Sequence, residues 1–291
     1  MSTIQWFPGH MAKAIRQMEE NVHLVDIVFE LVDARIPAAS RNPEVSRISR
    51  DKPHLIILTK KDLADSQQTA AWLNAYRAQN IPAIAIDSRA NVTPKQITNL
   101  ALKILGDKLA AEKAKGLKER PVRAMTVGVP NVGKSTLLNH LVQRRAAQVG
   151  NTPGVTKGQQ WLRSSKHLEL LDTPGILWPK FKDQETAQKL ALTGAIKEKL
   201  YAKDDVALFA LHFFRQYHLP ELEQRYRLTA ADRELSDVDL LLKITANLGM
   251  RDDYERASER VILDARRQKL GGFTLDRAPQ KEATDHDPEK A

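Results

Sequence analysis

The sequence predicts an α/β fold, a doubly wound P-loop domain followed by a smaller all-α domain. Over residues 1–180, short runs rich in Val and Ile alternate with segments of helical spacing. That is the pattern of a parallel sheet covered on both faces. A glycine-rich turn from Gly128 to Ser135 follows one of these runs and opens an apolar helix. After about Pro179 the strand-like runs stop, and apolar residues recur only at three and four spacings.

Taken in order, the expected strands are residues 26–32, 54–58, 83–86 and 125–127, each short and followed by turn or motif residues. Helical spacing places helices at about 11–23, 67–79, 94–115 and 134–142. Residues 160–163 and 167–171, separated by Ser164-Ser165-Lys166, predict a hairpin. Further helices are expected at 187–196, 207–217, 236–248 and 254–270, with Pro220 and Gly249 as breaks. Three regions follow: 1–180 for the α/β domain, 181–275 for the helical domain, and 276–291 as a disordered tail with almost no core-forming residues.

Composition narrows the function. The chain has 291 residues, no cysteine and a formal net charge of +9. Disulfide frameworks and thiolate metal sites are therefore excluded, and a reducing compartment fits. The amino terminus lacks a signal-peptide apolar stretch, and no run of eighteen apolar residues occurs, so a soluble, cytoplasmic protein is expected. Residues 1–182 carry 27 Lys and Arg against 15 Asp and Glu, whereas 183–291 carry 18 against 21. The excess suits a polyanionic partner. Lys103, Lys108, Lys113, Lys115, Lys118, Arg120 and Arg123 concentrate part of it, although such a run also describes a solvated helix face.

Three motifs carry the chemistry. Gly128-Val-Pro-Asn131-Val132-Gly133-Lys134-Ser135, continuing to Thr136, has the spacing of a phosphate loop. Its backbone N–H groups and the following helix dipole would face the phosphates, Lys134 would reach the β- and γ-phosphates, and Ser135 would bind Mg²⁺. Thr59-Lys60-Lys61-Asp62 matches the [NT]KxD pattern that reads guanine. Asp62 would accept from the ring N–H and the exocyclic amine, a donor pair that adenine lacks, and the Lys60 stem would lie on the base. Thr59 stands where Asn, whose side chain tethers this loop, is commoner.

Asp172-Thr-Pro-Gly175 is the D-x-x-G switch: Asp172 would contact Mg²⁺ through water, and the Gly175 N–H would sense the γ-phosphate. In the other switch, Thr156 is the candidate metal-binding threonine and Thr152 the alternative. Ser88, after the strand that follows the base motif, is a candidate for backbone contact with the base. The base motif precedes the phosphate loop, the reverse of the usual GTPase order. The expectation is a P-loop GTPase domain with circularly permuted motif order. Loops at one edge of a doubly wound sheet can still converge after such a permutation.

Together with Trp6-Phe-Pro-Gly-His10, Val32-Asp33-Ala-Arg35-Ile-Pro37, Pro153-Gly-Val-Thr156-Lys-Gly-Gln-Gln-Trp161 and Leu171-Asp-Thr-Pro-Gly-Ile-Leu-Trp-Pro-Lys180, these motifs resemble the ribosome biogenesis GTPase A family over about residues 3–275. The resemblance implies GTP hydrolysis to GDP in assembly of the large (50S) ribosomal subunit, stimulated by that subunit, with a helical carboxyl-terminal domain that contacts rRNA. Ile176 stands where a water-orienting Gln would be expected, and an aliphatic side chain cannot orient a nucleophile. The resemblance points instead to His10, although a histidine beside Pro-Gly can also close a turn. It further implies K⁺ held at the phosphates through Asn131. A monomer is the default, with no membrane or DNA partner. A metabolic ATPase, and a GTPase switch in RNA modification or signalling, are the competing readings.

Overall fold

The computed structural model describes residues 4, 6–87, 94–142, 159–181 and 183–279. Helix α1 (Gly9–Asn21) leads into β1 (Ile27–Asp33), a short α2 (Pro43–Ile48), β2 (His54–Thr59), α3 (Ser66–Ala78) and β3 (Ala83–Ala85). Helices α4 (Pro94–Ile104) and α5 (Gly106–Ala114) precede β4 (Val122–Gly128) and α6 (Lys134–Val142). Strands β5 (Gln160–Arg163) and β6 (Leu168–Asp172) complete the sheet. Helices α7 (Gln184–Thr193), α8 (Lys203–Tyr217), α9 (Leu219–Tyr226), α10 (Asp237–Asn247) and α11 (Tyr254–Arg266) follow.

The sheet order is β3-β2-β1-β4-β6-β5, parallel except for the β5 edge, which pairs antiparallel with β6. All seven residues of β1 are buried. Both of its faces are therefore covered, which is why its sequence reads as a continuous apolar run rather than an alternation. From β1 the chain winds outward through β2 to β3, then returns to place β4 on the other side of β1. The reversal makes a topological switch point at the carboxyl ends of β1 and β4, where open α/β sheets bind ligands. On α1, Met11, Ala14 and Met18 form the buried stripe.

Several elements differ from the sequence expectation. The single helix expected over 94–115 is two helices, broken at Leu105 and Gly106. Pro220, expected as a break, opens α9: it stands in the first turn, where a missing N–H costs no hydrogen bond. Helix α2 is too short for apolar periodicity to reveal, but Asn42 caps it by accepting from the Glu44 N–H at 3.0 Å.

The carboxyl-terminal segment returns to the α/β layer instead of leaving it at residue 275. The Phe273 N–H donates to Leu63 O and the Leu275 N–H to Arg35 O. Asp276, expected in the tail, is buried: one carboxylate oxygen accepts from the Ala38 and Ala39 N–H groups, each at 2.8 Å, and the other pairs with Lys189 at 2.9 Å. Trp72 Nε1 donates to the Asp276 carbonyl at 2.8 Å. Apolar spacing cannot reveal such a segment, because polar bonds to distant backbone hold it. No described helix is long and apolar enough to cross a membrane.

Candidate nucleotide site

The phosphate loop leaves β4 under tight steric control. A Cβ on Gly128 would lie 2.9 Å from the Leu31 carbonyl oxygen, so only glycine fits against β1 there. Asn131 and Gly133 both have positive φ, 58° and 103°, and together turn the chain into α6. Val132 is buried, and Ser135 and Thr136 are half-buried in the first helical turn. Lys134, 6% exposed, pairs with the fully buried Asp172 at the end of β6. Burial pulls the Lys134 ammonium below its ordinary pKa, and the Asp172 charge opposes that fall.

The D-x-x-G segment packs directly on this loop. A Cβ on Gly175 would meet Pro130 Cα at 2.9 Å. The Ile176 N–H donates to Gly128 O at 3.1 Å, and the Thr173 hydroxyl to Thr126 O at 2.7 Å. Ile176 is fully buried, so the position after Gly175 offers no polar group to a water molecule.

On the base side, the Thr59 hydroxyl donates to the Val132 carbonyl at 2.6 Å. A threonine thus ties the base loop to the phosphate loop, the task expected of the commoner Asn. Lys60, with φ 56°, places its ammonium 3.0 Å from Asp33 Oδ2. Asp33 also receives a bidentate pair from Arg35, at 2.9 and 2.7 Å. Burial alone would raise the Asp33 carboxyl, but Arg35 and then Lys60 outweigh it and hold it well below the usual carboxylate range. Desolvation lowers the Lys60 ammonium, with Asp33 opposing. Asp62 is half-buried, and its backbone carbonyl accepts from Gln268 at 2.8 Å. The sequence showed Asp33 and Arg35 only as part of a family motif; their part in the base loop depends on the pairing of β1 with β2.

The end of α7 touches both sides of the site. Four successive carbonyls are capped: Ala191 and Leu192 by Arg266, Thr193 by Arg35 at 3.1 Å, and Gly194 by the Asn131 amide at 2.9 Å. Helix α7 therefore ends on the phosphate loop and on the ion pair behind Lys60. Asn131, named for a cation at the phosphates, uses its amide N–H on this helix end.

His10 lies in the first turn of α1, exposed and edge-on to Trp6 at 6.5 Å between ring centroids. The next residue, Met11, accepts at its sulfur from the Leu177 N–H, two residues past Gly175. The start of α1 is thereby brought beside the switch exit. Ser88, Thr152 and Thr156 lie outside the described residues.

The basic run is partly neutralised. Lys108 and Arg120 pair with Asp26, and Arg123 with Glu169. Trp178 and Phe181 are buried and pack edge-on, 5.3 Å between ring centroids. On α11, Arg260 pairs with the buried Asp264, which also accepts from Arg225 at 2.7 Å.

Comparison with known proteins places this site in context. A family model described as "50S ribosome-binding GTPase" matches residues 123–258, which leaves Thr59 to Asp62 upstream of the match. Ribosome biogenesis GTPase A of Priestia megaterium is 47% identical over 280 residues, covering 94% of this chain and 96% of the relative. The chain belongs to the ribosome biogenesis GTPase A family. Mitochondrial ribosome-associated GTPase 1 of Xenopus tropicalis, 32% identical across 93% of this chain and 94% of its own, is a more distant relative. A solved GNP-bound YlqF from T. maritima matches with a TM-score of 0.63 at 26% identity, over 92% of this chain and 99% of that one. A GDP-bound YlqF structure matches with a TM-score of 0.64, also at 26% identity, over 90% and 99%. Membership in the ribosome biogenesis GTPase A family agrees with a permuted site whose loops meet at one sheet edge.

Proposed function

We propose that the protein is a GTPase of ribosome assembly that binds a late large-subunit precursor in its GTP form and leaves after hydrolysis. One observation supports the reading: in a member of this family, the Thr59 hydroxyl bonds the candidate base loop to the Val132 carbonyl of the phosphate loop, so the two loops would serve one nucleotide. Asp62 would read guanine against the stem of Lys60, with backbone contact near Ser88. The N–H groups of residues 131–136 would wrap the phosphates, and Lys134 would exchange Asp172 for them.

Ser135 directly and Asp172 through water would hold Mg²⁺ with oxygen donors, with Thr156 as the switch ligand. Held there, Mg²⁺ would supply neutralisation of phosphate charge. Asn131 would hold K⁺ through its side-chain oxygen. The Gly175 N–H would register the γ-phosphate, and His10 would orient the attacking water when the subunit orders the amino-terminal segment. Residues 1–180 would form the catalytic domain and 181–275 the rRNA-contacting one, in a cytoplasmic monomer.

Sedimentation through sucrose tests the reading. With a non-hydrolysable GTP analogue the protein is expected to travel with purified 50S precursors, and with GDP to remain at the top. Equal behaviour in the two states, or pelleting with another RNA in place of the precursor, contradicts it.

A further inference from the structure

The cation behind the base loop has a task that the general guanine-reading scheme does not assign. Lys60 must present the flat side of its stem to a purine, yet its backbone is in the left-handed region at φ 56°, which is unfavourable for a residue with a Cβ. Among the described residues its free end is held by Asp33 Oδ2, at 3.0 Å. Asp33 is in turn locked. Its two carboxylate oxygens accept from Arg35 Nε and Nη2, and the Arg35 backbone N–H adds a third bond to Oδ1 at 3.0 Å. The Arg35 side chain is 2% exposed and that of Asp33 4%, so water cannot substitute for either. A guanidinium fork fixes a carboxylate in plane and in position, as a lysine ammonium cannot.

We propose that Arg35 is a positioning residue for purine binding: through Asp33 it fixes the end of Lys60, and through the Thr193 carbonyl it braces that anchor against α7. The inference rests on the assignment of the guanine site above and adds to it the residue that sets the Lys60 wall. The brace has a consequence for the rest of the pocket. Because the neighbouring Gly194 carbonyl holds Asn131 of the phosphate loop, the base wall and the phosphate loop are both referenced to one helix end.

The test separates base from phosphate. Affinities for GDP and for magnesium tripolyphosphate, which has no base, are measured by calorimetry for wild type, Arg35→Lys and Asp33→Asn. Arg35→Lys keeps the buried positive charge, and its melting temperature reports whether the fold survives. The expected result is a roughly tenfold loss for GDP in each variant, with tripolyphosphate unchanged within about twofold, and no further loss in the double variant because the two act through one contact. GDP affinity unchanged in a folded Arg35→Lys variant overturns the proposal. So does an equal loss for both ligands, which a purely structural role would give. If the wild type itself does not prefer GDP to ADP, the guanine-site assignment fails instead, and the two failures are distinguished.

Discussion

At the corner proposed for the base, Lys60 is neutralised by Asp33, a carboxylate that the proposed chemistry leaves in place, and Thr59 is bonded to the Val132 carbonyl. At the phosphate corner, Lys134 is paired with Asp172, and the proposed chemistry reassigns both of them, to phosphate and to metal. On that proposal the first corner is built before the ligand arrives, and the second exchanges partners to accept it. A buried ion pair is costly to leave half-made, so the exchange is favourable only when a triphosphate and its metal replace both charges together. The pair therefore suits a site that distinguishes nucleotide states, while the base corner suits one that selects guanine in every state.

The comparison predicts graded outcomes. Lys134→Ala should have the largest effect: a loss of triphosphate affinity on the order of 10³-fold, with about 3–5 kcal/mol lost from stability because Asp172 is left buried without its partner. Calorimetric titration and denaturant unfolding measure the two, and an unchanged unfolding midpoint would break the claim that the phosphate corner stores a paired charge. His10→Ala should lower subunit-stimulated turnover by about 10²-fold or more while GTP affinity holds. Unchanged stimulated turnover removes His10 from the mechanism.

Asp62→Asn should weaken GTP by roughly 10²-fold, the loss of two charge-assisted hydrogen bonds, and shift preference towards xanthine nucleotide. Nucleotide competition reads this directly, and full retention of GTP preference would refute the base assignment. Thr59→Ala should cost about 1 kcal/mol, or roughly fivefold in GDP affinity, with Thr59→Asn recovering part of it.

The smallest effect concerns acid. Asp33 is held below its ordinary pKa in the folded protein, so its contribution to stability is present above the unfolded value of 3.8 and is lost as pH falls below it. Asp33→Asn should flatten that part of the stability profile in acid unfolding measurements. An identical acid slope in the variant would show that this carboxylate is not coupled to folding.

The parallel strands were legible because both faces of the sheet are covered, leaving Val- and Ile-rich runs that end in motif residues. Helix α6 was legible because the phosphate loop must feed a helix at Lys134. The permuted order was plain from three motifs. Features set by distant polar pairing were not legible. The caps on the end of α7 come from Arg35, Asn131 and Arg266, three residues far apart in the chain with no shared periodicity. The return of residues 273–276 likewise relies on bonds to Leu63, Arg35, Ala38 and Ala39. Arg120 and Arg123 look like free cations in the sequence and prove to be paired only once Asp26 and Glu169 are placed beside them. Charge density along a chain says nothing of which charges the fold has already answered.

A structure of the complex with a non-hydrolysable GTP analogue and Mg²⁺ tests most directly whether the rearranged chain makes one guanine-selective pocket. It should show the Asp62 carboxylate within hydrogen-bond reach, about 3 Å, of the guanine N–H groups, and Lys134 transferred from Asp172 to the phosphates, with Lys60 still on Asp33. Asp62 turned away from the purine, or Lys134 still on Asp172 beside a bound triphosphate, would contradict the account.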